Sequence, residues 1–188
     1  MKLIFSLDLS NDLEQTLAAA RYKQFWEDNQ ERIQNSFYKH TGLTFHQKQI
    51  AIHLRKDGIS KAGNKYQAME LSMTWKTEDG IGCTLIHELA HRLVIGNGID
   101  PPDGNDFIES RASYYMHRHI YLFLHDVLVD VLGEKIAREE IERESNGRIS
   151  SYAKAWSWAM AKNYKQRQKT FEQIKKRHGV KAVNLAAK

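Results

Sequence analysis

The chain has 188 residues, 41% hydrophobic and 27% charged, enough apolar material for one domain-sized core and too little bias for wholesale disorder. Its single cysteine, Cys83, excludes an internal disulfide and suits a reducing compartment. A net charge of +5 leaves an anionic partner such as nucleic acid open, although a solubilising surface is the simpler reading.

The N-terminal run MKLIFSLDLSND is broken by Asp8 and Asp12, too early for a secretory or membrane segment. No later stretch reaches membrane-spanning length, so the expectation is a cytoplasmic protein with one domain over 1–188. Ser10, Asn11 and Asp12 can cap a helix running to about His40, with Leu13, Leu17, Ala20, Phe25 and Ile33 as apolar positions and Gly42 as its close. Partial alternation predicts a strand within 43–55, and Met69, Leu71, Met73 and Trp75 mark a second within 66–75. A helix follows over about 77–95. Pro101 and Pro102 then mark a loop, and a largely apolar helix spans about 106–132. Further helices are expected over 134–144, 150–161 and 165–178. This order predicts an α+β fold with a small sheet: an N-terminal helix (1–42), a central part (43–132) and a helical C-terminal part (133–188).

Residues 87 to 91 read His-Glu-Leu-Ala-His. On a helix, positions i and i+4 share a face, so His87 and His91 can reach one Zn²⁺ while Glu88 reaches a water beside it. Ile81, Leu85, Leu89 and Leu93 form a stripe expected to face the core, and the two histidines are expected on an opposite face open to a cleft. The competing reading is two surface histidines with Glu88 paired to Arg92. Cys83, one turn before His87, is expected to be a small buried filler rather than a ligand.

The stretch CTLIHELAHRL resembles the active-site helix of the zincin metallopeptidases. The elongated metzincin motif is absent, and the likeness is to short gluzincin-like peptidases of bacteria and their phages. HRHIYLFLHDVLVDVLGEK and SYAKAWSWAM also resemble an uncharacterised group of such proteins. The resemblance covers about 43–132, which would then be the catalytic core. It implies a strand along the cleft, here 66–75, and a later helix, here 106–132, supplying the third zinc ligand.

Glu109 lacks the carboxylate four residues on that the gluzincin pattern requires, since Ser113 stands there. His117 is therefore the first choice for third ligand, with His119 and Glu109 as alternatives and His125 and Asp126 as remoter candidates. Asp126 and Asp130 are candidates to orient a ligand imidazole, unless they pair with Arg or Lys. Tyr121, Tyr114 or Tyr115 could help stabilise an oxyanion. Trp156 and Trp158 are expected in the core, with stacking on nucleic acid as the alternative. The basic residues from Lys162 to Arg177 are expected on the outer face of the C-terminal helix.

These readings give a zinc-dependent peptidase with Glu88 as general base, acting on a peptide or protein aligned along the free edge of strand 66–75. The alternatives are a non-catalytic binding module on the same fold and a DNA-associated zincin.

Overall fold

The computed structural model describes residues 1–6, 12–56, 60–63, 67–75, 77–99, 111–147 and 149–180. Among these the order is β1 (Lys2–Ser6), α1 (Leu13–Thr41), β2 (Gln49–Arg55), β3 (Met69–Ser72), α2 (Glu78–Gly96), α3 (Arg111–Leu132), α4 (Glu134–Ser145), α5 (Ser150–Met160) and α6 (Tyr164–Arg177). The result is a mixed, mostly helical architecture with a small parallel sheet of order β1-β2-β3.

The first strand is an addition to the sequence reading, which took that run only as too short for a leader. Leu3 stands opposite Ile50 and Phe5 opposite Ile52, while Ile52 and Leu54 stand opposite Met69 and Leu71. Ile50, Ile52 and Leu54 alternate with exposed residues, so one face of β2 enters the core. Because β1 and β2 run parallel, α1 is the crossover that joins them. The Asp12 carboxylate caps α1 by accepting from the backbone N–H groups of Glu14 (3.0 Å) and Gln15 (3.4 Å). Gly42 ends the helix at φ 66°, a left-handed conformation that favours glycine.

α3 runs through the middle and packs against α1, α2, α4, α5 and α6. Ile120 to Leu124, Val127 and Leu128 are all buried, while Arg118, His119, His125, Asp126 and Asp130 are half-buried, so a broad side of the helix faces the core and a narrower polar side does not. Gly82 allows the close crossing of α1, α2 and α3, since a Cβ there would meet Phe25 at 2.7 Å and Leu132 at 3.1 Å. Glu109, Pro101, Pro102 and the expected start of the helix at 106 lie outside the described residues.

Two expectations are corrected at this level. α2 is not divided into a buried and an open face: from Ile81 to Val94 every residue except His91 is buried, because α1, α3, α4 and β3 all contact it. Nor does α6 present all its cations outward. Arg167 and Lys175 are buried, the first paired with Asp126 at 2.7 Å and the second donating to the Thr41 carbonyl at 2.7 Å. Among the described residues no helix is long and apolar enough to cross a membrane.

Candidate metal centre

α2 supplies His87 and His91 one turn apart, and α3 crosses so that His117 closes the group. One nitrogen from each imidazole lies within 4.8 Å of the other two. His87 and His117 are buried and His91 is half-buried. The Nε2 atoms of His87 and His91 are 3.2 Å apart. Two nitrogens bound at about 2.0–2.1 Å to one tetrahedral ion stand roughly 3.3–3.4 Å from each other, so this separation fits a shared ion.

The ring orientations are fixed from behind. His117 Nδ1 lies 2.7 Å from the Ser113 carbonyl, to which its N–H donates. Its Nε2 is buried without any hydrogen-bond partner. A buried lone pair left bare is costly unless something accepts it, and a metal ion is such an acceptor. His87 Nδ1 lies 3.0 Å from Glu144 Oε1, which again leaves Nε2 facing the group. Glu144 is fully enclosed: its Oε2 accepts from the Tyr121 hydroxyl at 2.8 Å and the Trp156 indole at 2.6 Å.

The electrostatics agree with neutral nitrogen donors at two of the three rings. Burial, then the neighbouring imidazoles, hold His91 well below the ordinary range. Burial and His87 push His117 down to about 3. For His87, burial opposes the charge but the Glu144 carboxylate overrides it and raises the group to about 9. The same partnership holds Glu144 down at about 2 against its own burial. Without an ion, His87 and Glu144 thus form a charged pair. A cation held by the three imidazoles would take the place of that second proton, and the Nδ1–H donation to Glu144 would persist.

A cleft of about 410 Å³ opens beside the cluster, lined among others by Thr84, His87, Glu88, Trp75, Ile149 and Tyr152. Glu88 is almost fully buried, and burial raises its carboxyl to about 7. The Tyr152 ring lies 4.1 Å from His117 and 5.9 Å from His87. Burial and the Glu88 charge push its phenol upward, so it stays protonated and able to donate.

The structure brings His87, Glu88, His91 and His117 together and leaves the other described candidates elsewhere; Glu109 lies outside the described residues. The His119 ring packs 6.1 Å from His178 and is pushed down to about 4 by burial and by its neighbours His178, Arg118 and Arg177. Asp126 pairs with Arg167 and His125, and Asp130 with Lys39 and His40. Neither orients a ligand imidazole, so the pairing alternative holds. Tyr121 is fully buried with its hydroxyl committed to Glu144, and Tyr114 and Tyr115 pack around Arg118. These tyrosines do not face the cleft. Cys83 is buried and outside the histidine group.

Sequence reading missed Glu144 and Tyr152. Glu144 sits in the charged run EEIERES, whose pattern is that of a solvated helix face. Tyr152 lies in the run SYAKAWSWAM, whose pattern predicts only a packing helix. Neither carries a local signal, because each reaches the site from a separate helix.

The edge of β3 is also not free. The Glu70 N–H and C=O both bond to Lys61 at 2.8 Å, the Ser72 N–H donates to Ser60 Oγ at 2.9 Å, and the Ser72 carbonyl accepts from Tyr22 at 2.9 Å. A peptide cannot add to that edge without displacing these bonds.

Compared with protein-family models, curated proteins and solved structures, the chain matches none.

Proposed function

We propose that this chain is a zinc-dependent metallopeptidase of the zincin kind, with His87, His91 and His117 as the ligands and Glu88 as general base. The observation that carries the reading is the convergence of three imidazole nitrogens beside a buried carboxylate on the wall of a cleft. Three imidazoles with room for a fourth ligand form the donor set of a catalytic rather than a structural zinc. A zinc ion held there supplies Lewis acidity to a water and to a substrate carbonyl.

The chain's own groups do the rest. A Glu88 carboxylate oxygen accepts the proton that water loses as it attacks the carbonyl carbon, then hands it to the departing amine nitrogen. Burial favours the protonated form of Glu88, which suits a group that must release its proton again. The Tyr152 hydroxyl donates to the oxygen on which negative charge develops. Glu144 holds the His87 ring in place through Nδ1. Trp75, Ile149 and Tyr152 give the cleft an apolar wall, so the substrate is held by its side chains against this wall rather than by strand addition to β3.

The test is Glu88→Gln. Zinc content should stay at about one per chain, because Glu88 is not a ligand, while hydrolysis of a broad peptide library falls by about 10²-fold or more. Unchanged cleavage by the variant overturns the mechanism. Zinc-loaded wild type that cleaves nothing in the library overturns the peptidase reading in favour of a non-catalytic binding module.

A further inference from the structure

Away from the cleft, Arg118 of α3 meets Trp158 and Lys162 at the C-terminal end of α5. The Arg118 guanidinium carbon lies 3.8 Å from the Trp158 ring centroid, and the Lys162 Nζ lies 3.7 Å from it. The Tyr114 and Tyr115 rings flank Arg118 at 5.4 and 5.6 Å. The surface continues through His119 to His178, and both Arg177 and His178 are exposed.

Among the described residues no carboxylate pairs with the cations of this cluster; Arg21 and Arg32 also lack one but donate to backbone carbonyls at 3.1 Å. Arg55, Arg143 and Arg167 each hold a carboxylate at 2.5–2.7 Å. Arg118 has no carboxylate partner among the described residues, and its Nε is buried without an acceptor. Among the described residues Lys162 donates to the Trp158 carbonyl, at 2.8 Å. Burial and then Arg118 push its ammonium down, with no acid opposing them. The negative ends of α5 and α6 account for Lys162, Arg177 and His178. They do not account for Arg118, which lies within α3.

We infer that Arg118, Lys162 and the adjoining Arg177–His178 end of α6 form a binding surface for the phosphodiester backbone of nucleic acid. A guanidinium lying over an indole keeps its in-plane N–H donors available, and those donors match a phosphate bidentately. With cations close over the Trp158 ring, indole stacking on a base is not the mode of recognition. Contacts to the backbone are, and they carry no sequence preference. Cations spread over α3 and the C-terminal ends of α5 and α6 fit a polyanion better than a single oxyanion, and the net charge of +5 favours its approach. The surface shares no residue with the histidine cluster, so the inference stands apart from the peptidase reading.

The test is fluorescence anisotropy with a labelled oligothymidine of roughly twenty nucleotides at low salt, where backbone contacts are strongest. Wild type should bind, with affinity falling steeply as salt rises. Arg118→Gln and Lys162→Gln should each weaken binding by about tenfold and reduce the salt slope by roughly 0.7. Lys23→Gln, an equal charge loss at an exposed α1 site, should change affinity less than about twofold. Absence of binding, an equal loss in Lys23→Gln, or equal affinity for an acidic peptide of the same charge overturns the assignment. Should Arg118→Gln fail to fold, Lys162→Gln decides alone, and wild-type affinity in that variant also overturns it.

Discussion

Glu144 Oε1 lies 3.0 Å from His87 Nδ1, which ties a helix outside the HELAH segment to the first histidine of the proposed zinc site. Glu144 also accepts from Tyr121 and Trp156, so one buried carboxylate organises α2, α3, α4 and α5. Its negative charge raises the basicity of the imidazole that faces the metal. Glu144→Gln keeps the shape but removes the charge. Zinc affinity, measured by competition with a chromophoric chelator, should fall about 10–100-fold. Undiminished affinity would show that the contact is structural only.

His117 and His119 of α3 separate cleanly. His117→Ala removes a nitrogen from the cluster and should lower zinc affinity by at least about 10²-fold, the scale of losing a ligand outright rather than its supporting partner. His119→Ala should leave zinc binding within about twofold, since its ring packs on His178 instead. The reverse pattern in the same chelator assay would transfer the third-ligand role to His119.

Tyr152→Phe bears on the oxyanion. Its ring stays against His117 while the hydroxyl donor is lost. The expectation is a drop in kcat of about 10²-fold with KM little changed, as for removal of one oxyanion donor. A change confined to KM would make Tyr152 a binding surface only.

The Asp126 carboxyl sets a pH dependence away from the metal. Burial alone would raise it, but hydrogen bonds from His125 and Arg167 outweigh that and hold it below 3.8. A carboxyl depressed in the folded state contributes stability that is complete above its unfolded value and lost as pH falls through the folded one. Unfolding midpoints in urea should therefore decline as the pH is lowered below about 4. Asp126→Asn should lose that part of the decline. It should also cost about 3 kcal/mol at neutral pH, because Arg167 would stay buried without its counter-charge. A wild-type-like acid profile in the variant would refute this.

The sequence by itself determined the elements with strong local chemistry. The α1 cap at Asp12 and its end at Gly42, the α2 and α3 helices, the alternation of β2 and the His87–Glu88–His91 spacing are all written in residues a few positions apart. The run at 2–6 was too short to declare a strand, because its hydrogen-bond partner, β2, lies across the whole of α1. The third histidine was narrowed to a few candidates and no further: α3 packs against five other helices, so apolar residues cover most of its circumference and spacing alone did not choose between His117 and His119. Only the crossing of α3 over α2 turned His117 inward and carried His119 towards His178. Tertiary structure also decided that Glu144, placed among charged residues typical of a solvated helix, enters the core to hold His87. It also gave Asp126 and Asp130 basic partners away from the cluster. Spacing along a helix places groups one turn apart, whereas groups from different helices meet only where the core brings those helices together.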